Sequence, residues 1–287
     1  MDKQIQQFPA MKKGIFNLLS MSILFFANQG YAQQINSHLQ ANSTLQNHVS
    51  SILKENIKKI DAINGQIIIM DCKSGEIKAM VNLMNTKSGI KPAIRQLSEP
   101  TALMRTVSLL AVLEQGKVNL NDSIDTKAGM LDINGYLLKD YNWLRGGNGK
   151  TSVQQGFLLS SNIATYLTVK QAFGKEYDRF YKAITTMGYG LPQNSFKAIL
   201  PSPYNDISLA KFVNGKNQQI SPLQILTFYN AIANNGKMVK PTFHKRDTTI
   251  IKEQIASKEN IATIQQLLIQ KRLTTKVFSD KIPIVGE

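Results

Sequence analysis

The sequence predicts an α+β domain. Three observations carry this: a β-hairpin signal at the front, a succession of helical patterns through the middle, and the start of a strand at Ile282–Val285. Leu45, Val49, Ile52, Leu53, Ile57 and Ile60 recur at helical spacing, so Ser43 to Ile60 reads as an amphipathic helix. The runs Gln66–Met70 and Glu76–Asn82 are strand-like and flank Lys73-Ser74-Gly75, a hairpin turn. Pro100 opens a helical pattern through Met104, Val107, Leu110, Ala111 and Leu113, and Gly116 closes it. Helices are expected over Val153–Leu159, Ile163–Ala172 and Tyr177–Met187, with Gly188-Tyr189-Gly190 as a turn. Pro222–Ala233 ends at Asn234-Asn235-Gly236, a helix stop, and Lys258–Gln270 forms another helix. No internal repeat is evident.

Composition supports a packed domain. The chain is 43% hydrophobic and 18% charged, enough apolar material for a core and too little charge for disorder along most of its length. Thirty-four Lys+Arg against nineteen Asp+Glu give +15, which suits anionic surroundings. The basic residues are scattered and lack the aromatic-basic pattern of a nucleic-acid module, so no nucleic-acid partner is expected.

The front of the chain points to export. Met11-Lys12-Lys13 is a basic start, Gly14–Ala27 is apolar, and Gly30-Tyr31-Ala32 places small residues where a signal peptidase reads. The expected division is a signal peptide over 1–32 with Met11 as a possible start, a linker and amphipathic helix over 33–63, and a domain over 64–287. An uncleaved anchor is the alternative. Cleavage leaves a charge of +13, facing wall polymer or a membrane surface. The single Cys72 excludes an internal disulfide and is expected to be a buried, inert thiol. With three His and no HExxH, CxxC or GxSxG, no metal, cofactor or hydrolase elbow is expected. Gly146-Gly147-Asn148-Gly149-Lys150-Thr151 ends like a phosphate loop, but Leu144 stands where its first glycine belongs.

Five segments taken in order resemble one family. Gly65–Met80 resembles the opening hairpin of the penicillin-binding transpeptidases, and Ser98-Glu99-Pro100-Thr101-Ala102-Leu103-Met104-Arg105 resembles their nucleophile segment. Ser160-Ser161-Asn162 matches the family's S-x-N motif. Met187–Gly190 is similar to the glycine-bearing turn, and Ile220–Gln224 with Tyr229–Lys237 and Pro241 to the late helix and loop. The resemblance implies an antiparallel sheet with a helical subdomain, in a class B-like chain whose last sheet strands would be missing. It also implies an open sheet edge and an uncovered apolar face.

The chemistry departs from that family. Acyl transfer there needs a Ser at the start of a helix and a Lys one turn later as base. The matching positions hold Ala102 and Arg105. Alanine carries no nucleophile, and a guanidinium does not give up its proton. Ser160 and Asn162 remain, for proton transfer and for orienting a substrate amide, or as braces of an inter-helix loop. Ile284-Val285-Gly286-Glu287 approaches the third motif, with Glu287 in place of its Lys. Ser88-Gly89-Ile90-Lys91 is a literal S-x-x-K, but Gly89 and Pro92 break any helix there. The leading expectation is an exported, non-catalytic relative, with a wall stem peptide or an envelope protein as partner. An active transpeptidase acylated through Ser88 and Lys91, and a decayed truncated product, stay open beside it.

Overall fold

The structure, a computed structural model, describes residues 43–87, 89–92, 97–192, 197–243 and 248–275. The expected leader, Ser88, the terminal strand and Glu287 lie outside these residues. The chain divides into two compact units. One takes the chain to Ile69 with Glu76–Pro92 and Thr242–Lys245; the other takes Met70–Gly75, Ala93–Pro241 and Arg246 onward.

The first unit packs one helix on a small sheet. Helix α1 (Ser43–Lys59) buries Val49, Leu53 and Ile57, spaced four apart along one face. Strands β1 (Asn64–Met70), β2 (Ile77–Thr86) and β3 (Gly89–Pro92) form a sheet in that order. Ala79, Val81 and Leu83, alternate residues on one face of β2, meet the apolar stripe of α1. The Gln46 amide adds register: its Nε2 donates to the Met80 carbonyl at 2.9 Å and its Oε1 accepts from the Met80 N–H at 3.0 Å. β2 and β3 run antiparallel, from Leu83 opposite Pro92 to Thr86 opposite Gly89.

The second unit is built around α2 (Met104–Gln115), in which Met104 and every residue from Thr106 to Val112 are buried. A helix buried almost all round belongs at the centre of a core. Gly116 ends it in the left-handed conformation at φ 69°. Two short antiparallel pairs follow: β4 (Ser123–Asp125) with β7 (Lys150–Ser152), and β5 (Met130–Ile133) with β6 (Tyr136–Lys139). The β5–β6 turn is Asn134-Gly135, both at positive φ, the two-residue turn whose twist suits a hairpin.

Helices α3 (Val153–Leu158), α4 (Asn162–Phe173) and α5 (Tyr177–Thr186) come next, then α6 (Asp206–Val213) and α7 (Pro222–Ala233). Asn205 with Ser208, and Ser221 with Gln224, form capping boxes that start α6 and α7, and Pro222 occupies the first turn of α7. The pair β8 (Met238–Val239) and β9 (Ile250–Lys252) precedes α8 (Lys258–Thr275).

Most expected elements are present within a residue or two, and α8 runs five residues further than expected. Three differences have physical causes. The pattern opened by Pro100 begins with a 3₁₀ turn, Thr101–Leu103, and becomes α-helical only at Met104, because Thr101 is held at φ 48°. Helix α6 is written in its cap, Asn205 to Ser208, rather than in a long apolar period. Cys72 is exposed on the turn after β1, which corrects the expectation of a buried thiol. Partial desolvation, and then the Asp71 carboxylate, still push that thiol's pKa up and away from a reactive thiolate.

Candidate functional site

The segment entering α2 is fixed before any side-chain chemistry is considered. Ser98 and Ile220 exchange backbone hydrogen bonds, at 3.1 and 3.0 Å. Glu99 grips the same neighbouring stretch: its carboxylate accepts from Lys216 Nζ and from the Asn217 N–H, both at 2.9 Å. The Lys216 hydrogen bond, followed by the Asn217 N–H, holds the Glu99 carboxyl below its ordinary pKa. Thr101 donates its N–H to the Gly215 carbonyl at 3.3 Å.

That last contact requires glycine. A Cβ on Gly215 would stand 2.2 Å from the Thr101 carbonyl oxygen, and Gly215 itself has φ 72°. Thr101, a β-branched residue at positive φ, is strained, and the clamp from 215–220 is what holds it there.

The strained turn presents Ala102, half-buried, followed one helical turn later by Arg105. Arg105 Nη2 donates to Asn162 Oδ1 at 2.9 Å. Tyr229, on α7, donates its hydroxyl to the Leu103 carbonyl at 2.8 Å, tying the turn to a second helix. Tyr229 also lines an apolar groove of about 420 Å³, with Cys72, Ile232, Gln265, Leu268 and Ile269.

The loop between α3 and α4 supplies the other half. Ser160 takes φ 56° and is half-buried, so the chain turns sharply before α4. Ser161, not Ser160, caps α4, its Oγ accepting from the Ala164 N–H at 2.9 Å. Behind it lies Asp140, 1% exposed. Its carboxylate accepts from Ser161 Oγ at 2.7 Å and from the Ile163 N–H at 3.1 Å, so its buried charge is met by donors at a helix start.

Asn162 bridges the two halves. Its Oδ1 accepts from Arg105, and its Nδ2 donates to the Lys139 carbonyl at 2.8 Å. Both ends of the amide are engaged within the protein, and the two partners together fix which end is oxygen. Its own carbonyl accepts from Asn214 Nδ2 at 3.2 Å. The geometry therefore makes Asn162 a brace between α2, α4 and β6.

Of the residues singled out in the sequence, the fold brings Arg105 and Asn162 into contact and sets Ala102 on the turn before them. Lys91 lies on β3, opposite Met84, rather than on a helix, and Ser88 is outside the described residues. Asp140, Thr101 and Gly215 organise the site and were not legible as such. A lone Asp after a strand, and a Gly after a helix, carry no spacing signal of their own. At positions 102 and 105 the chemistry on offer is a methyl group and a guanidinium, neither of which can attack a carbonyl carbon.

Comparison with known proteins agrees with this frame. The Penicillin binding protein transpeptidase domain matches residues 65–282. Penicillin-binding protein PbpB of Mycobacterium tuberculosis is 29% identical over 227 residues, covering 70% of this chain and 32% of its own. The probable peptidoglycan D,D-transpeptidase PbpC of Pseudomonas aeruginosa is 24% identical over 205 residues, 65% of this chain and 35% of its own. The chain thus spans about a third of the length of these relatives.

Two solved structures share the fold. A peptidoglycan glycosyltransferase from Burkholderia ambifaria superposes with a TM-score of 0.65 at 22% identity, over 79% of this chain and 72% of that one. The TP domain of Burkholderia pseudomallei penicillin-binding protein 3 gives 0.63 at 21%, over 79% and 67%. With the family's domain matched over residues 65–282, most of this chain, and the fold matched in both structures, this chain belongs to the penicillin-binding protein transpeptidase domain family.

Proposed function

We propose that this chain is an exported, non-catalytic relative of the peptidoglycan D,D-transpeptidases, keeping the frame of an acyl-transfer site without its nucleophile or base. The observation that carries the reading is the pair at the head of α2. Ala102 and Arg105 stand where the family resemblance puts the serine and the lysine, and Arg105 is hydrogen-bonded to Asn162 at 2.9 Å. A guanidinium in that place cannot accept a proton from an attacking hydroxyl, and no hydroxyl is carried at 102. Ser160 is left beside the frame with no acyl group to serve.

Export rests on the sequence of the first 32 residues, followed by a linker and helix to residue 63 and the transpeptidase-like domain beyond. The partner in this reading is a wall stem peptide or another envelope protein. The site is then a binding surface rather than a reaction centre.

Fluorescent penicillin tests it. The purified chain should carry no covalent label after denaturing electrophoresis, while an active transpeptidase in the same tube is labelled. A band that disappears on Ser88→Ala would instead establish acylation through Ser88 and Lys91 and overturn the proposal. Saturable retention by purified peptidoglycan is expected for a retained groove. Absence of both label and retention would leave a chain with no selected function.

A further inference from the structure

We propose that the exposed face of the β5–β6 ribbon, with the turn at Trp143–Arg145, is a docking surface for an anionic lipid bilayer. The inference stands apart from whether the site at Ala102 is catalytic, because none of its residues is assigned to that chemistry.

The ribbon presents apolar side chains outward on a fixed backbone. In the β5–β6 register Met130 faces Lys139 and Asp132 faces Leu137, so these four share one side. Leu131, Ile133, Tyr136 and Leu138 take the other side, against the core. On the outer side Met130 is 37% and Leu137 47% exposed; just beyond, Tyr141 is 69% and Leu144 79% exposed. Four large apolar side chains are thus held out within fifteen residues of chain.

The backbone beneath is not slack. The Asp140 N–H donates to the Gly129 carbonyl at 3.0 Å, and the Gly147 N–H to the Asn142 carbonyl at 3.2 Å. Gly129 and Gly147 cross so closely that a Cβ on Gly147 would lie 2.1 Å from the Gly129 nitrogen.

Charge selects the occupant. The cations set against this surface are Lys139 and Arg145, over the Trp143 and Tyr141 rings, while Lys127 is paired with Asp125 and Asp140 is buried. Asp132 is the exposed acid of the ribbon, and its carboxylate accepts from the Gly135 N–H at 2.7 Å. Apolar tips flanked by Lys139 and Arg145, with a Trp and a Tyr at the boundary, match the layered chemistry of a bilayer surface carrying negative headgroups.

A glycan would need open aromatic faces. Here Lys139 Nζ lies 4.0 Å from the Trp143 ring centroid, and the Arg145 guanidinium is 5.7 Å from that of Tyr141. The outermost groups, Leu144 and Leu137, are aliphatic and suit acyl chains better than sugar.

Trp143 is the only tryptophan in the chain, so its emission reports this surface even if another part of the full-length protein also meets the bilayer. The full chain is titrated with phosphatidylglycerol–phosphatidylcholine vesicles, some with brominated acyl chains, and with pure phosphatidylcholine vesicles. Emission should shift to the blue on the anionic vesicles and fall by roughly half with brominated lipid, an effect weakened by high salt. Leu144→Glu combined with Tyr141→Ser, both at exposed positions, should abolish the quenching while leaving the circular dichroism unchanged.

Unchanged Trp143 emission would overturn the proposal. So would equal quenching in the double variant or on neutral vesicles. An emission change with soluble wall glycan but no quenching by brominated lipid would assign the surface to sugar instead.

Discussion

Two segments of the second unit are built alike and carry different chemistry. The entry to α2 and the entry to α4 each turn on a non-glycine residue at positive φ, Thr101 at 48° and Ser160 at 56°. Each is then locked by hydrogen bonds from elsewhere in the unit: Gly215 and Ile220 for the first, Asp140 through Ser161 for the second. The α4 entry still presents a hydroxyl and an amide at Ser160 and Asn162, whereas the α2 entry presents Ala102 and Arg105. The turn that carries Ala102 is thus maintained by backbone contacts that do not depend on the side chain at that position. The contact between Arg105 and Asn162 joins the two halves.

The largest expected effect breaks the first lock. Gly215→Ala forces a Cβ against the Thr101 backbone at a position already requiring positive φ, and should cost about 4 kcal/mol of stability in urea unfolding. A loss under about 1 kcal/mol would mean that the α2 entry relaxes freely and that the parallel with α4 is superficial.

Asp140→Ala breaks the second lock. It leaves the Ser161 hydroxyl and the Ile163 N–H without their buried acceptor and should cost about 2 kcal/mol, with faster amide exchange at the start of α4. If exchange quickened instead at the start of α2, the two locks would be one network.

The smallest effect sharpens the comparison through pH. The Glu99 carboxyl is held below its ordinary value of 4.5, so its contribution is complete above that pH. The contribution is lost as pH falls through the lowered folded value. Glu99→Gln should therefore flatten part of the acid limb of stability below pH 4.5 and change little at neutrality. An acid limb identical in the variant would show that Lys216 and Asn217 hold the segment without Glu99.

Much of the fold was legible because it is periodic. α1, α2, α4, α5, α7 and α8 each bury residues at helical spacing, and Pro222 and Gly116 mark ends that follow from proline's fixed φ and glycine's freedom. The short pairs were not legible, since two to four residues give no period, although Asn134-Gly135 was a usable hairpin signal. In the site, Arg105 and Asn162 were legible as residue types, while their contact needed the fold. Asp140 and Gly215 were silent because their importance lies in what approaches them across 21 and 114 residues of chain, to Ser161 and Thr101. Cys72 misled because its strand-like context suggested burial, whereas the turn that follows carries it outward.

In the function proposed above, the frame of an acyl-transfer site persists here without acyl transfer. Intact-mass spectrometry of the full chain after prolonged incubation with excess benzylpenicillin tests it most directly. The unmodified mass alone is expected. A stable mass increase equal to one penicilloyl group, mapped by peptide analysis to any serine of the domain, would contradict it.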